Sequence, residues 1–139
     1  MVYIVSSNIN SDNINMAIIQ IKRAYDPASA TDGYRVYIDR LWPRGLSHDT
    51  FYYDLWDKDI APSTSLREWF HADRDSRWDE FKRRYTEELS ENPAFNHLES
   101  IIEGKTMVTL LYSSHDKEHN NAVVVEALLS SKGQSFQCI

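Results

Sequence analysis

The run Lys105 to Ser114 (KTMVTLLYSS) constrains this chain more than any other stretch, because it offers a sheet no wet side. A strand with one solvated face alternates apolar and polar residues, whereas here Met107, Val108, Leu110 and Leu111 fall on both parities. Strands of that kind lie in the middle of parallel sheets, with both faces covered. Two further strands fit beside it. Ala17 to Arg23 (AIIQIKR) reads as the first core strand. Tyr34 to Asp39 alternates, with Tyr34, Val36 and Ile38 on one side and Arg35, Tyr37 and Asp39 on the other. The link Ala24 to Gly33 carries Asp-Pro and Asp-Gly turn signals and is about ten residues long, near the lower limit for a crossover between parallel strands. A crossover and a hairpin both remain open at that point.

Helices fill the rest. Ser65 with Glu68 is a capping-box pattern that opens a short helix, with Leu66, Trp69 and Phe70 on one face and Arg67 off it. Ser76 with Asp79 repeats the pattern ahead of Trp78, Phe81, Tyr85 and Leu89, which recur at helical spacing. Asn92-Pro93 starts a helix that buries Phe95, Leu98, Ile101 and Ile102 and closes at Gly104. Asn120 or Asn121 caps a last helix with Ala122, Val125, Leu128 and Leu129 inward, stopping at Gly133. The aromatic segment Thr50 to Trp56 (TFYYDLW) reads as another short helix over the core. The order of elements predicts a single small α/β domain over residues 16–139, with a largely parallel sheet of three to four strands flanked by helices. Residues 1–15, rich in Ser and Asn, read as a flexible N-terminal extension in which Val2 to Val5 is available as an edge strand.

Composition narrows the function classes. With 42% hydrophobic and 26% charged residues the chain has the makeup of a globular protein. It holds no apolar run near the roughly 20 residues needed to span a bilayer, and no secretory signal pattern, so a cytoplasmic address and no membrane partner are expected. Lone Cys138 excludes an intrachain disulfide and a multi-cysteine metal site. The net charge of −6 is uneven: residues 17–45 balance at +2 and residues 46–139 at −7. An acidic protein with one local basic region suits a small anionic ligand, and disfavours nucleic acid, which needs an extended basic surface. Lys82-Arg83-Arg84 sits among acids and reads as a solvated helix face. The oligomeric state is not legible.

Candidate chemistry gathers at two strand ends. After the strand at Tyr34 the chain stops at Trp42-Pro43, where it places Asp39, Arg40, Trp42, Arg44 and Gly45. After the apolar strand, Ser113 to Asn121 brings Tyr112, Asp116, His119 and a helix start at Asn120 and Asn121. Parallel strands put both loops on one edge, the usual place for ligands in open α/β sheets. A helix N-terminus favours an anion, and arginine adds forked donors. His119 is the candidate acid or base, and Asp39 is placed to orient it, to hold a sugar hydroxyl, or to pair with an arginine. His115 and His119 around Asp116 make a metal site a lesser reading, and no cofactor is indicated: there is no Gly-x-Gly-x-x-Gly or Walker pattern. Ser63, Thr64 and Ser65 lack a nucleophile elbow.

The blocks IKRAYDP, DGYRVYIDRLWPRG, APSTSLREWF and TLLYSSHDKEHNNAVVVEAL resemble the YeaO-like branch of the family known as domain of unknown function 488, over about residues 17–131. The resemblance implies a Rossmann-like α/β fold with its first two strands parallel. It carries over Arg23, Tyr25, Asp39, Arg40, Trp42, Pro43, Arg44 and Gly45, then Arg67 and Trp69, then Asp116, His119, Asn120 and Asn121. Other branches carry a Cys-His-Arg triplet where Glu118-His119-Asn120 stands here, so thiol chemistry does not carry over. The expected function is an anion-binding pocket at the strand ends for a small phosphorylated or nucleotide-like ligand, with acid–base chemistry available from His119 and Asp39. Whether it turns anything over stays open. The alternative is a non-enzymatic module that docks a protein partner or nucleic acid on Trp42 and Trp56. A third reading makes the arginines and Asp39 a buried structural network.

Overall fold

The computed structural model describes the backbone at residues 2–8, 15–132 and 136–138, and the side chains of residues 17–131. Its strands are β1 (Val2–Asn8), β2 (Asn15–Arg23), β3 (Tyr34–Tyr37), β4 (Leu55–Trp56), β5 (Met107–Tyr112) and β6 (Phe136–Cys138). They form one sheet in the order β4-β3-β5-β2-β1-β6. The four strands from β4 to β2 are parallel, and β1 and β6 extend the sheet antiparallel beyond β2. The apolar run is the central strand, flanked by β2 and β3. That arrangement excludes the hairpin: the ten-residue link is a crossover from one side of β5 to the other. Gly33 makes so short a link feasible. Its φ is +65°, and a Cβ there would lie 2.3 Å from the backbone oxygen of Met107. The strand available at Val2 to Val5 forms and runs on to Asn8, paired with β2 on one side and β6 on the other.

The two faces of the sheet are covered differently. Ile19, Val36, Ile38, Val108, Leu110 and Tyr112 pack against helices α1 (Thr64–Ala72), α2 (Arg74–Ser90), α3 (Pro93–Ile102) and α4 (Asn121–Lys132). On the opposite face Tyr37 and Leu111 pack with Ala24 and Phe51, and Trp42, Leu46, Tyr53 and Trp56 close over them. The segment expected as a helix at Thr50 to Trp56 is therefore an extended aromatic cover that ends in β4. Arg35 explains the difference: its backbone N–H donates to the Asp54 carboxylate (2.8 Å) and its Nε to the Tyr52 carbonyl (2.9 Å), drawing the segment along β3. Beside the aromatics the same face carries a buried polar network. Asp32 accepts from Lys22 (3.0 Å) and Arg35, and its backbone oxygen accepts from Thr109 (2.7 Å).

Helix starts follow their caps. Ser63, not Ser65, caps α1: its hydroxyl accepts from the Leu66 N–H (3.2 Å) while its own N–H and O–H donate to Glu88. Asp73, not Ser76, stands at the start of α2, which begins at Arg74; Ser76 lies inside the first turn and donates its hydroxyl back to the Asp73 carboxylate (2.5 Å). Asn92 caps α3 as expected. Asn120 settles the choice at α4, its side-chain oxygen accepting from the Val123 N–H (3.1 Å). Gly133 lies outside the described residues. Among those described, no helix is long and apolar enough to cross a membrane.

Candidate functional site

Strand register assembles the site. Tyr37 stands opposite Leu111 in the β3–β5 ladder, so two residues further on Asp39 arrives beside Ser113. The Asp39 carboxylate accepts the Ser113 N–H (3.1 Å), the Ser113 hydroxyl and the Asn121 side-chain amide (2.7 Å). One carboxylate thus ties together the ends of β3 and β5 and the first residue of α4. Behind it the aromatic cover holds the Trp-Pro-Arg-Gly bend. Tyr37 donates its hydroxyl to the Leu41 carbonyl (2.7 Å), Trp42 its indole N–H to Leu46 (2.6 Å) and Trp56 its own to Asp39 (2.7 Å). Gly45, at φ +86°, completes the bend.

A cavity of about 550 Å³ opens beyond these strand ends. Its floor is apolar, from Phe70, Phe81, Ala61 and Pro62, and Leu41 stands 63% exposed at its lip. Four guanidinium groups line it (Arg40, Arg44, Arg67 and Arg74) against two carboxylates, Asp39 and Asp116. Among the described residues, the side chains of Arg40, Arg44 and Arg67 have no hydrogen-bond or ion-pair partner. Arg74 is committed: it donates to the Ser114 hydroxyl (3.1 Å) and the His119 carbonyl (2.6 Å), and lies 4.7 Å over the Phe70 ring. The Asp116 carboxylate turns to its own loop, accepting from the His119 and Glu118 N–H groups, which hold its pKa below the ordinary carboxylate value. His71 also lines the cavity, and burial with the nearby Arg74 and Arg67 pushes its pKa down, opposed by Asp39.

Of the residues expected from sequence, Asp39, Arg40, Trp42, Arg44, Asp116, Asn120 and Asn121 line this cavity. Arg23 supports it from behind, donating to the Ser114 carbonyl (2.8 Å) and stacking over Tyr25, whose hydroxyl holds the Arg44 carbonyl (2.7 Å). Tyr112 is a core residue, 3% exposed, whose hydroxyl burial pushes to higher pKa. His119 faces elsewhere: its ring stacks on Trp78 at 4.7 Å. The expected acid–base pair of Asp39 and His119 is not formed, because Ser113 and Asn121 hold the carboxylate and Trp78 holds the imidazole. Nor does Asp39 pair with an arginine as the network reading required; the buried ionic network is Asp32 with Lys22 and Arg35. Trp42 and Trp56 are not free stacking platforms. They lie half-buried against each other (5.6 Å), with both indole N–H groups spent on backbone carbonyls. Sequence reasoning missed His71 and Arg74 and left Arg67 without a role. Spacing held part of the signal, since residues 67 and 71 share a face of α1, whereas Arg74 reaches the cavity from the first residue of α2.

A small α/β domain with an arginine-lined cavity beyond the ends of its parallel strands is the class that fold and site define. The chain belongs to the family described as the inactive DUF488-N3 subclade, whose family model matches residues 18–137. It is 42% identical to the uncharacterized protein YeaO of Escherichia coli (strain K12) over 113 residues, 81% of this chain and 97% of that one. It is 36% identical to the uncharacterized proteins Rv3073c of Mycobacterium tuberculosis and Mb3100c of Mycobacterium bovis, over 82% of this chain and 95% of theirs. No solved structure matches it significantly.

Proposed function

We propose that this protein binds a small phosphorylated, nucleotide-like anion in the cavity beyond β3 and β5, without turning it over. The observation that carries the reading is that Arg40, Arg44 and Arg67 converge on one cavity with no hydrogen-bond or ion-pair partner for their side chains among the described residues. Guanidinium groups are matched in shape to phosphate and carboxylate, and they gain most where an apolar wall lowers the local dielectric. Asn120 and Asn121, at the start of α4, add a helix N-terminus to the same wall. The apolar floor at Phe70 and Phe81 suits the body of a nucleotide-like molecule.

Two facts favour binding over turnover. The subclade is described as inactive. The one histidine expected to act in the loop after β5 is stacked against Trp78 instead. Isothermal titration with inorganic phosphate and adenosine 5′-monophosphate tests the reading. Arg67→Ala and Arg44→Ala should each weaken binding by at least about 1.5 kcal/mol, the low end for a lost charge-assisted hydrogen bond. Affinities unchanged by both substitutions would reject it.

A further inference from the structure

Asp39 is out of place in a pocket built only for an anion. Its carboxylate lines the cavity and repels negative charge, yet three donors hold it there: the Ser113 N–H, the Ser113 hydroxyl and the Asn121 amide. A carboxylate offers about four acceptor positions, so one remains for a ligand. None of the four arginines lining the same cavity takes it, and opposite charges are kept apart within one small volume. Asp116 differs: its Oδ1 accepts from the backbone of its own loop, and its Oδ2 lies 3.7 Å from the Nδ1 of His119. A cavity that presents free guanidinium donors and a separate free acceptor is complementary to a molecule carrying both an oxyanion and a hydrogen-bond donor. The four guanidinium groups disfavour a cationic donor such as an ammonium and favour a neutral one, such as the hydroxyl that a sugar phosphate carries a few bonds from its oxyanion.

We propose that Asp39 accepts a ribose hydroxyl of the ligand, so that the pocket selects sugar phosphates of the ribonucleotide type over bare oxyanions. The assignment rests on the anion reading above and adds to it the side of the ligand that arginine does not read. Asp39 is then a specificity residue: it costs affinity for any plain anion and returns it only to a ligand with a hydroxyl in reach.

The test compares adenosine 5′-monophosphate, its 2′,3′-dideoxy analogue and inorganic phosphate by calorimetry on the full chain. The wild-type protein should bind the ribonucleotide at least about tenfold more tightly than the dideoxy analogue, the factor expected for one hydrogen bond to a charged group. In Asp39→Asn that preference should vanish, while inorganic phosphate should bind more tightly because a repelling charge is gone. Equal affinity of the wild-type protein for ribonucleotide and dideoxy analogue overturns the assignment while leaving the anion pocket standing, and this arm needs no variant to fold. An equal loss for all three ligands in Asp39→Asn overturns it too, since that is the mark of a merely structural carboxylate. Absence of binding by all three ligands to the wild-type protein removes the anion pocket itself, and the assignment with it.

Discussion

His71 stands in the cavity wall between Arg67 and Arg74, its Nε2 3.4 Å from an Arg74 nitrogen. Burial and the two cations lower its pKa, so the ring is neutral near pH 7. A phosphate in the cavity would offset the arginines and raise that pKa again, so binding should take up a proton. Affinity for phosphate is expected to rise as pH falls from about 8 toward 6, and calorimetry in buffers of different ionisation enthalpy should report proton uptake that His71→Ala abolishes. The stability effect of this residue has its own sign. Its folded pKa lies below the ordinary 6.5, so the unfolded chain holds more protons, and the contribution is lost as pH falls through the range just below 6.5. At this scale the sequence was a good guide where a side chain directly follows a strand, as with Asp39, Arg40 and Arg44. It was a poor guide for His119, whose ring direction depends on Trp78, forty-one residues earlier in the chain.

Two elements owe their position to single residues. α1 delivers Arg67 and His71 to the cavity, and its start depends on Ser63, which both caps the helix and bonds Glu88 of α2. Ser63→Ala should cost about 1–2 kcal/mol in denaturant unfolding and also weaken phosphate binding. The crossover between β2 and β3 depends on Gly33. Ala at that position meets the Met107 carbonyl and must hold φ at +65°, so Gly33→Ala should destabilise the protein by more than about 2 kcal/mol, read from the urea midpoint at unchanged slope. Strands and long helices were legible because their periodicity is local. Thr50 to Trp56 was not: its aromatics have no decisive period, and its extended path is set by the backbone and side chain of Arg35. Capping was read two residues late because Ser63 and Ser65 both fit, and only Glu88, twenty-five residues on, distinguishes them.

Across the whole molecule the sheet has one helical face and one face covered by aromatics and the Asp32 network. α4 packs on β1, β2, β5 and β6 and against α2, so more of its circumference is buried than one inward stripe implies. Glu126 is enclosed as a result: it is 2% exposed, its Oε2 has no hydrogen-bond partner among the described residues, and burial pushes its pKa up to about 8. The folded protein therefore keeps this proton through a range in which the unfolded chain loses it, and stability should fall as pH rises from about 4.5 to 8. Glu126→Gln should flatten that dependence and raise stability at pH 7 by about 1–3 kcal/mol, measured by urea unfolding at pH 5, 7 and 8.5. The sequence placed the inner face of α4 at Ala122, Val125, Leu128 and Leu129, and Glu126 escaped notice because α4 as a whole packs on strands from both ends of the chain, β1 and β6, as well as on β2 and β5. The meeting of Asp39 with Ser113 has a mechanical corollary. Two strand tips joined by no common loop would both be gripped by one small guest, so its arrival should slow deuterium uptake at Ile38, Asp39, Ser113 and Asn121 in concert, a buckle fastening across the fold.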